Sequence, residues 1–224
     1  FTKHFNAHTV LEKLKFGGFQ MPTHVLSRAI LYNTSIRKIQ LSSVTTANLD
    51  CVVVACALRE ANLESLYCFQ TAGTGCLIEC TSQLIYARGL RRFHLNDFEI
   101  ASDQRGEMFC SALRKHLPQL YLASFTDVAV SSKPIEKMFL SALSGVPKVY
   151  LQDINFRGKS VNLEPLLENN RVVRSLRLYF LHCRSNVPSL LRQCVSLRKF
   201  GFRMRMGDDM CEAVTALLPK DVAL

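Results

Sequence analysis

Histidine and cysteine, the residue types best suited to catalysis or metal binding, occur in the chain without the arrangement that either task needs. The six histidines are His4, His8, His24, His94, His116 and His182. None is paired with a nearby cysteine or acid in a way that suggests a catalytic triad or a zinc site. The pairs Cys51/Cys56 and Cys76/Cys80 lack zinc-knuckle spacing. Phosphate-loop, zinc-protease and serine-hydrolase motifs are missing from the sequence, so we predict no enzyme activity, no metal and no cofactor.

The sequence also indicates binding to another molecular surface. Tyrosine, histidine and arginine residues recur at intervals of about 27 residues. They are Tyr67, His94, Tyr121, Tyr150 and Arg177, with Tyr179 close behind the last. Tyrosine and arginine dominate binding hot spots, because each joins a large contact area to a polar group. Tyrosine also has a high β-strand propensity, which is the simpler explanation.

A short motif with apolar residues at positions one, four and six recurs at nearly the same interval along the whole chain. Its eight starts are Leu11, Ile36, Leu63, Leu90, Leu117, Val146, Val173 and Leu197. Position four is Leu14, Ile39, Leu66, Phe93, Leu120, Val149, Leu176 and Phe200. Alternation at positions four and six is typical of a short strand with one buried face. Tyr67, His94, Tyr121, Tyr150 and Arg177 fall at position five, and Tyr179 falls at position seven.

The segments between these strands have the three- and four-residue apolar spacing of helices. They cover residues 22–34, 49–62, 76–88, 106–116, 135–143, 163–169, 187–193 and 209–218. Pro22 and Pro134 stand near predicted helix starts, and Gly89 and Gly145 follow predicted helix ends. A strand and a helix every 27 residues or so cannot bury their apolar faces alone. We therefore expect one α/β domain over residues 1–224.

This pattern resembles the leucine-rich repeat family, in its longer ribonuclease-inhibitor-like form, over residues 11–218. The resemblance implies a right-handed horseshoe arc of about eight repeats, with short parallel strands on the concave side and helices on the convex side. Position nine departs from the family, since apolar residues mostly stand where asparagine or cysteine is usual. An all-helical repeat solenoid is the alternative, and the apolar-x-apolar strand signal argues against it.

Basic residues are concentrated on the positions that would face solvent, namely two, three, five, seven and eight. Four acidic residues oppose them: Glu12, Glu64, Asp97 and Asp153. The basic ones are Lys13, Lys15, Arg37, Lys38, Arg91, Arg92, Lys148, Arg174, Arg177, Arg198, Lys199 and Arg203. An acidic partner surface is implied. The candidate binding residues on the concave face are Tyr67, Arg92, His94, Tyr121, Lys148, Tyr150, Arg177 and Tyr179.

The expected function is protein binding, as in a cytosolic immune-type receptor of this repeat family. The alternatives are an F-box-type substrate adaptor, an inhibitor or GTPase-activating regulator using Arg92 or Asn96, and a nucleic-acid-binding scaffold.

Nine cysteines, an odd number set mostly among apolar residues, favour a reducing cytoplasmic location. The longest apolar run, 51–58, is too short to cross a membrane. The uncapped apolar ends predict flanking domains in a longer protein.

Overall fold

The structure is a computed structural model that describes residues 11–17, 35–42, 63–69, 89–100, 103–116, 119–130, 132–154, 161–179 and 187–203. Eight strands within these ranges form one open parallel sheet, in which each strand lies beside the next one along the chain. They are β1 Lys13–Gly17, β2 Lys38–Ser42, β3 Ser65–Phe69, β4 Arg92–Ile100, β5 Leu122–Val130, β6 Lys148–Gln152, β7 Ser175–Tyr179 and β8 Lys199–Arg203. The α/β class and the parallel strands expected from the sequence are confirmed.

Equivalent positions of the motif stand side by side across the sheet. Position four forms one row, in which Leu14 pairs with Ile39, Leu66 pairs with Phe93, and Leu176 pairs with Phe200. All of these side chains are buried. Because side chains alternate along a strand, positions four and six face one side of the sheet, and positions five and seven face the other.

Four helices are described, and they lie against the side of the sheet that positions four and six face. They are α1 Asp103–His116, α2 Lys133–Leu143, α3 Glu164–Leu167 and α4 Val187–Gln193. In α2, Ser132 caps the first turn by accepting a hydrogen bond from the Ile135 N–H at 3.5 Å, and Pro134 stands where its missing N–H costs nothing. Ile135, Phe139 and Leu143 then return to one buried face at four-residue intervals.

Aromatic side chains join the helices to the sheet at the centre of the core. Phe125 of β5 lies edge-on to Phe93 of β4, to Phe109 of α1 and to Phe139 of α2, with ring centroids 6.2, 6.2 and 4.9 Å away. These four rings are buried. The described helices contact one another in chain order, so they form a second layer over one face of the sheet.

The fifth motif begins three residues later than the sequence pattern predicts, at Leu120 and not at Leu117. Strand pairing places Ala123 at position four, between Phe93 and Val149, and Phe125 at position six. Leu122, predicted to be buried at position six, therefore lies on the opposite side of the sheet, where it is only partly buried. Leu117 and Leu120 both offer apolar residues at the required spacing, and only the strand pairing distinguishes them.

Position eight of the motif, which lies within β5 and directly after β6, has a backbone conformation that the sequence pattern did not predict. Asp127 and Asp153, both at position eight, adopt left-handed backbone conformations with φ of 50°, which Asp tolerates better than most residues. The apolar residues that follow at position nine, Val128 and Ile154, are buried. Position nine therefore adds to the core, whereas the residue at position eight adopts the left-handed conformation that precedes it.

The remaining helix predictions differ in outcome. The segment 187–193 is a helix as predicted, α1 and α2 begin slightly earlier than predicted, and α3 is shorter than the predicted 163–169. The predicted helices 22–34, 49–62, 76–88 and 209–218 lie outside the described residues. No helix in the part of the chain that the structure describes is long and apolar enough to cross a membrane.

Candidate binding face

The side of the sheet that faces away from the helices, called the open face here, carries most of the predicted binding residues. Its central row consists of the position-five residues of the eight strands. In order they are Lys15, Gln40, Tyr67, His94, Ser124, Tyr150, Arg177 and Gly201. Tyr121, which the sequence placed in this row, is absent from it because of the register of β5, and Ser124 takes its place.

On the β3–β4 side, Tyr67 and His94 stack face to face, with ring centroids 4.0 Å apart and planes 10° from parallel. Burial, together with the positive charge of Arg92, lowers the pKa of His94 from 6.5 to about 4, so its imidazole is neutral at physiological pH. Its Nε2 atom and the Oδ1 atom of Asn96 are buried without a hydrogen-bond partner among the described residues. Such atoms cost free energy unless a ligand supplies the missing bond.

On the β6–β8 side, Tyr150, Arg177 and Tyr179 form a second group. The Arg177 guanidinium carbon lies 4.9 Å from the centre of the Tyr150 ring, a cation–π arrangement. Gly201 on the next strand is part of this group, because a Cβ atom there would stand 3.4 Å from Arg177 Cγ and 3.8 Å from the Tyr179 hydroxyl. The sequence predicted Tyr150, Arg177 and Tyr179 as neighbours, and it missed the space that Gly201 leaves for them.

Tyr121 stands apart from both groups, at position two, where β5 is about to begin. It is 44% exposed, and the Lys148 ammonium lies 4.4 Å from its ring centroid. A hydrogen bond from Lys148 to the phenol oxygen lowers the pKa of Tyr121, and the positive charges of Lys148, Arg92 and Arg174 lower it further. The positive charge of three cations therefore acts on one hydroxyl group. Arg174 was not among the predicted site residues.

These cations belong to a larger strip, called the basic edge here, along the ends where β4 to β8 begin. It comprises Arg91, Arg92, Lys148, Arg174, Arg198 and Lys199. Backbone hydrogen bonds connect the strip: the Tyr121 N–H donates to the Arg91 carbonyl at 2.8 Å, and the Arg198 N–H donates to the Arg174 carbonyl at 2.8 Å. From Arg91 onward, none of the residues at motif positions two and three is acidic.

The start of the sheet differs from the basic edge in its charge pairing. There, Arg37 is neutralised by an ion pair with Glu64 at 2.7 Å. The six cations of the basic edge form no ion pair within the described ranges. Within the described ranges, β4 to β8 therefore carry more cations without an ion pair than β1 to β3, where Lys13, Lys15 and Lys38 are such cations.

Cysteine chemistry is unfavourable at the two described positions that lie in the core. Burial raises the pKa of the Cys110 thiol to about 12, and burial also raises the pKa of Cys194. The thiolate is the nucleophilic form, so both side chains serve as apolar core residues. Among the described residues no group of histidine, cysteine and acidic side chains is placed to hold a metal ion.

A cavity of about 380 Å³ lies on the helical side, between α2 and α3. It is lined by charged residues of both signs, including Lys133, Lys137, Glu136 and Glu168. Glu136 already accepts a hydrogen bond from the Asn162 N–H at 3.0 Å. Most of its lining residues are charged and compensate one another, whereas ligand pockets are usually lined by apolar and aromatic side chains, so the open face is the stronger candidate.

No protein-family model matches this chain, and a comparison with curated proteins finds no similar sequence. The function is therefore argued from the chemistry of the open face.

Proposed function

We propose that the chain is a leucine-rich-repeat solenoid whose open face is the concave surface of a right-handed arc, and that this face binds an acidic surface of another protein. Support for the architecture comes from the sheet, because seven successive strand pairs align the same motif positions. The longer repeat form is supported by the helices between the later strands.

The observation that carries the binding proposal is that the open face holds aromatic and cationic side chains that do not contribute to the core. Tyr67 is preassembled with His94 by stacking, and Tyr150 with Arg177 by a cation–π contact. Tyr179 stands near Arg177, next to Gly201. Side chains already held in one arrangement lose less conformational entropy when a partner binds. Tyrosine and arginine groups of this kind are typical interface anchors.

Charge determines which partner surfaces are favoured. The basic edge has no acidic neighbours at its own positions, so a partner with acidic side chains gains attraction along five strands. The same positive charge would also attract nucleic acid, which is the second candidate. The two ligands differ in salt dependence, because each phosphate contact releases counterions and steepens the fall of affinity with salt.

The proposal is tested by capturing partners from cell lysate with the wild type and with the open-face variant Tyr150→Ala/Tyr179→Ala. The matched control is Met108→Ala/Lys137→Ala, which truncates two side chains on the helical layer. We expect partners that the wild type and the control variant capture, and that the open-face variant loses. Circular dichroism must show that all three proteins are folded.

Recovery of the same partners by a folded open-face variant would contradict the proposal. For a purified partner, affinity is then measured between 50 and 200 mM salt. A fall of about a thousandfold or more over this range, which several phosphate contacts produce, would identify the ligand as nucleic acid.

A further inference from the structure

Strand β5 has smaller side chains on the open face than the strands on both sides of it. Its residues there are Leu122, Ser124 and Thr126. Strand pairing sets them between Arg92, His94 and Asn96 on β4 and Lys148, Tyr150 and Gln152 on β6. The result is a depression with β5 as its floor and the larger side chains of β4 and β6 as its walls, called the β5 trough here.

The dimensions of the trough follow from sheet geometry. Neighbouring strands lie about 4.8 Å apart, so the backbones of β4 and β6 are separated by roughly 10 Å. The floor from Leu122 to Thr126 extends about 13 Å at 3.3 Å per residue. An extended peptide matches this length with about four residues, and one row of its side chains can enter between His94 and Tyr150.

The two ends of the trough differ in charge. At the end where β5 begins, strand pairing places Arg92 and Lys148 on either side of Leu122, and Arg174 stands beside Ser175, the β7 partner of Lys148. The Lys148 ammonium lies 4.4 Å from the centre of the Tyr121 ring. At the other end stand Asp127 and Asp153, and Gln152 donates a hydrogen bond to the Asp153 carboxylate at 3.2 Å. A ligand in the trough therefore meets positive charge at one end and negative charge at the other.

The positive end is suited to an anion with more charge and more oxygen atoms than a carboxylate has. These three cations stand along one edge of the sheet, where they repel one another, and none of them forms an ion pair within the described ranges. A phosphate monoester carries about −1.5 to −2 charges and presents three acceptor oxygens, so it can bind all three cations at once. Two of the cations are arginines, whose planar guanidinium groups bind phosphate through paired hydrogen bonds.

We propose that the β5 trough binds an extended segment of a partner protein that carries a phosphorylated side chain, with the phosphate between Arg92, Lys148 and Arg174. The inference rests on the proposed function, since it assigns the chemistry of the partner at the same face. The carboxylates of Asp127 and Asp153 repel a second phosphate at the far end. A peptide with a single phosphate therefore fits this trough better than a nucleic-acid strand running along it.

The test uses the full chain and degenerate nine-residue peptide libraries labelled for fluorescence anisotropy. The central residue is phosphoserine, phosphotyrosine, serine or glutamate, and a single-stranded oligonucleotide of nine nucleotides is measured in parallel. We expect one phosphorylated library to bind at least tenfold more tightly than the serine and glutamate libraries. Arg174→Gln and Lys148→Met should reduce that preference to less than threefold.

The shape of the trough is tested separately by Ser124→Tyr, which fills the space between His94 and Tyr150. We expect it to weaken phosphopeptide binding at least tenfold. Lys15→Tyr and Lys15→Met, at position five of β1, are the matched controls for added bulk and lost charge, and they should bind phosphopeptide as the wild type does. Circular dichroism shows which variants are folded. If Ser124→Tyr does not fold, Ser124→Leu is measured in its place.

Each contrary outcome overturns a defined statement. Equal affinity for phosphorylated, serine and glutamate peptides, or no peptide binding at all, overturns the inference. The proposed function nevertheless stands if the open-face variant Tyr150→Ala/Tyr179→Ala still loses its captured protein partners. Unchanged phosphopeptide binding by a folded Ser124→Tyr protein overturns the trough as the site. If the oligonucleotide binds more tightly than every peptide, and Arg174→Gln weakens its binding, nucleic acid is the ligand.

Discussion

Truncating Leu120 and Leu122 separately to alanine tests the register of β5. The two side chains are only two residues apart, and in the register predicted from the apolar pattern both belong to the core. In the structure Leu120 is 3% exposed, whereas Leu122 is only partly buried and lies on the open face, paired with Arg92 and Lys148. The structure therefore predicts unequal losses of stability from the same chemical change.

The size of the difference follows from burial. Removing a fully buried leucine side chain costs about 2–5 kcal/mol, which combines lost transfer free energy with the cavity left behind. Leu122 keeps part of its surface in water and leaves no enclosed cavity, so its truncation should cost about 1 kcal/mol or less. The expected gap of at least 1 kcal/mol is large against a typical domain stability of about 5–15 kcal/mol.

Equilibrium unfolding in urea, followed by far-ultraviolet circular dichroism, measures both losses. The chain contains no tryptophan, so intrinsic tryptophan fluorescence is not an option. A shift of the midpoint without a change of slope is read as a change in stability. Equal losses for Leu120→Ala and Leu122→Ala, or a larger loss for Leu122→Ala, would refute the register.

Three further substitutions probe the core, the helix packing and the open face. Phe125→Ala removes the ring that contacts three others and should cost about 3–5 kcal/mol in urea unfolding; a loss below 1 kcal/mol would contradict its central position. Gly106→Ala places a Cβ atom 2.8 Å from Ile135 Cγ2, so we expect a net loss of about 1 kcal/mol or more, although helix propensity alone predicts a gain. His94, with its pKa lowered from 6.5 to about 4, should titrate by NMR near pH 4. At a pH between these two pKa values, His94 binds more protons in the unfolded chain than in the folded chain. Stability should therefore fall as the pH is lowered from 7 to 4, and it should fall less steeply in His94→Gln.

The alternation of apolar residues was sufficient to predict most of the sheet. Leu14, Ile39 and Leu66 are buried at position four as expected, because a two-residue period identifies the buried face of a strand without any knowledge of its neighbours. The predicted register was wrong for β5, because two alternative registers of that strand both place apolar residues at positions four and six. Leu120 and Leu122 fit the pattern as well as Ala123 and Phe125 do, so only pairing with β4 and β6 decides between them.

The candidate site was harder to predict, since its geometry depends on which residues are neighbours across strands. Tyr150, Arg177 and Tyr179 lie on consecutive strands in frames that the motif predicted correctly, so their grouping followed from the sequence. The stacking of Tyr67 on His94 could be anticipated only as adjacency, because ring orientation is determined by local packing. Arg174 was counted among the basic residues of the strand surface but not among the candidate binding residues, and it stands at position two, outside the central row.

The misplacement of Tyr121 has a consequence for the chemistry of the open face. With Tyr121 in the central row, the aromatic stripe would continue across β5, and the face would present a flat surface. With Ser124 there instead, the stripe is interrupted between His94 and Tyr150, and Tyr121 joins Lys148 at the basic edge. A three-residue change of register thus converts a continuous aromatic surface into a trough with one cationic end. Shape and charge then both favour the ligand proposed above, an extended chain with an anionic group.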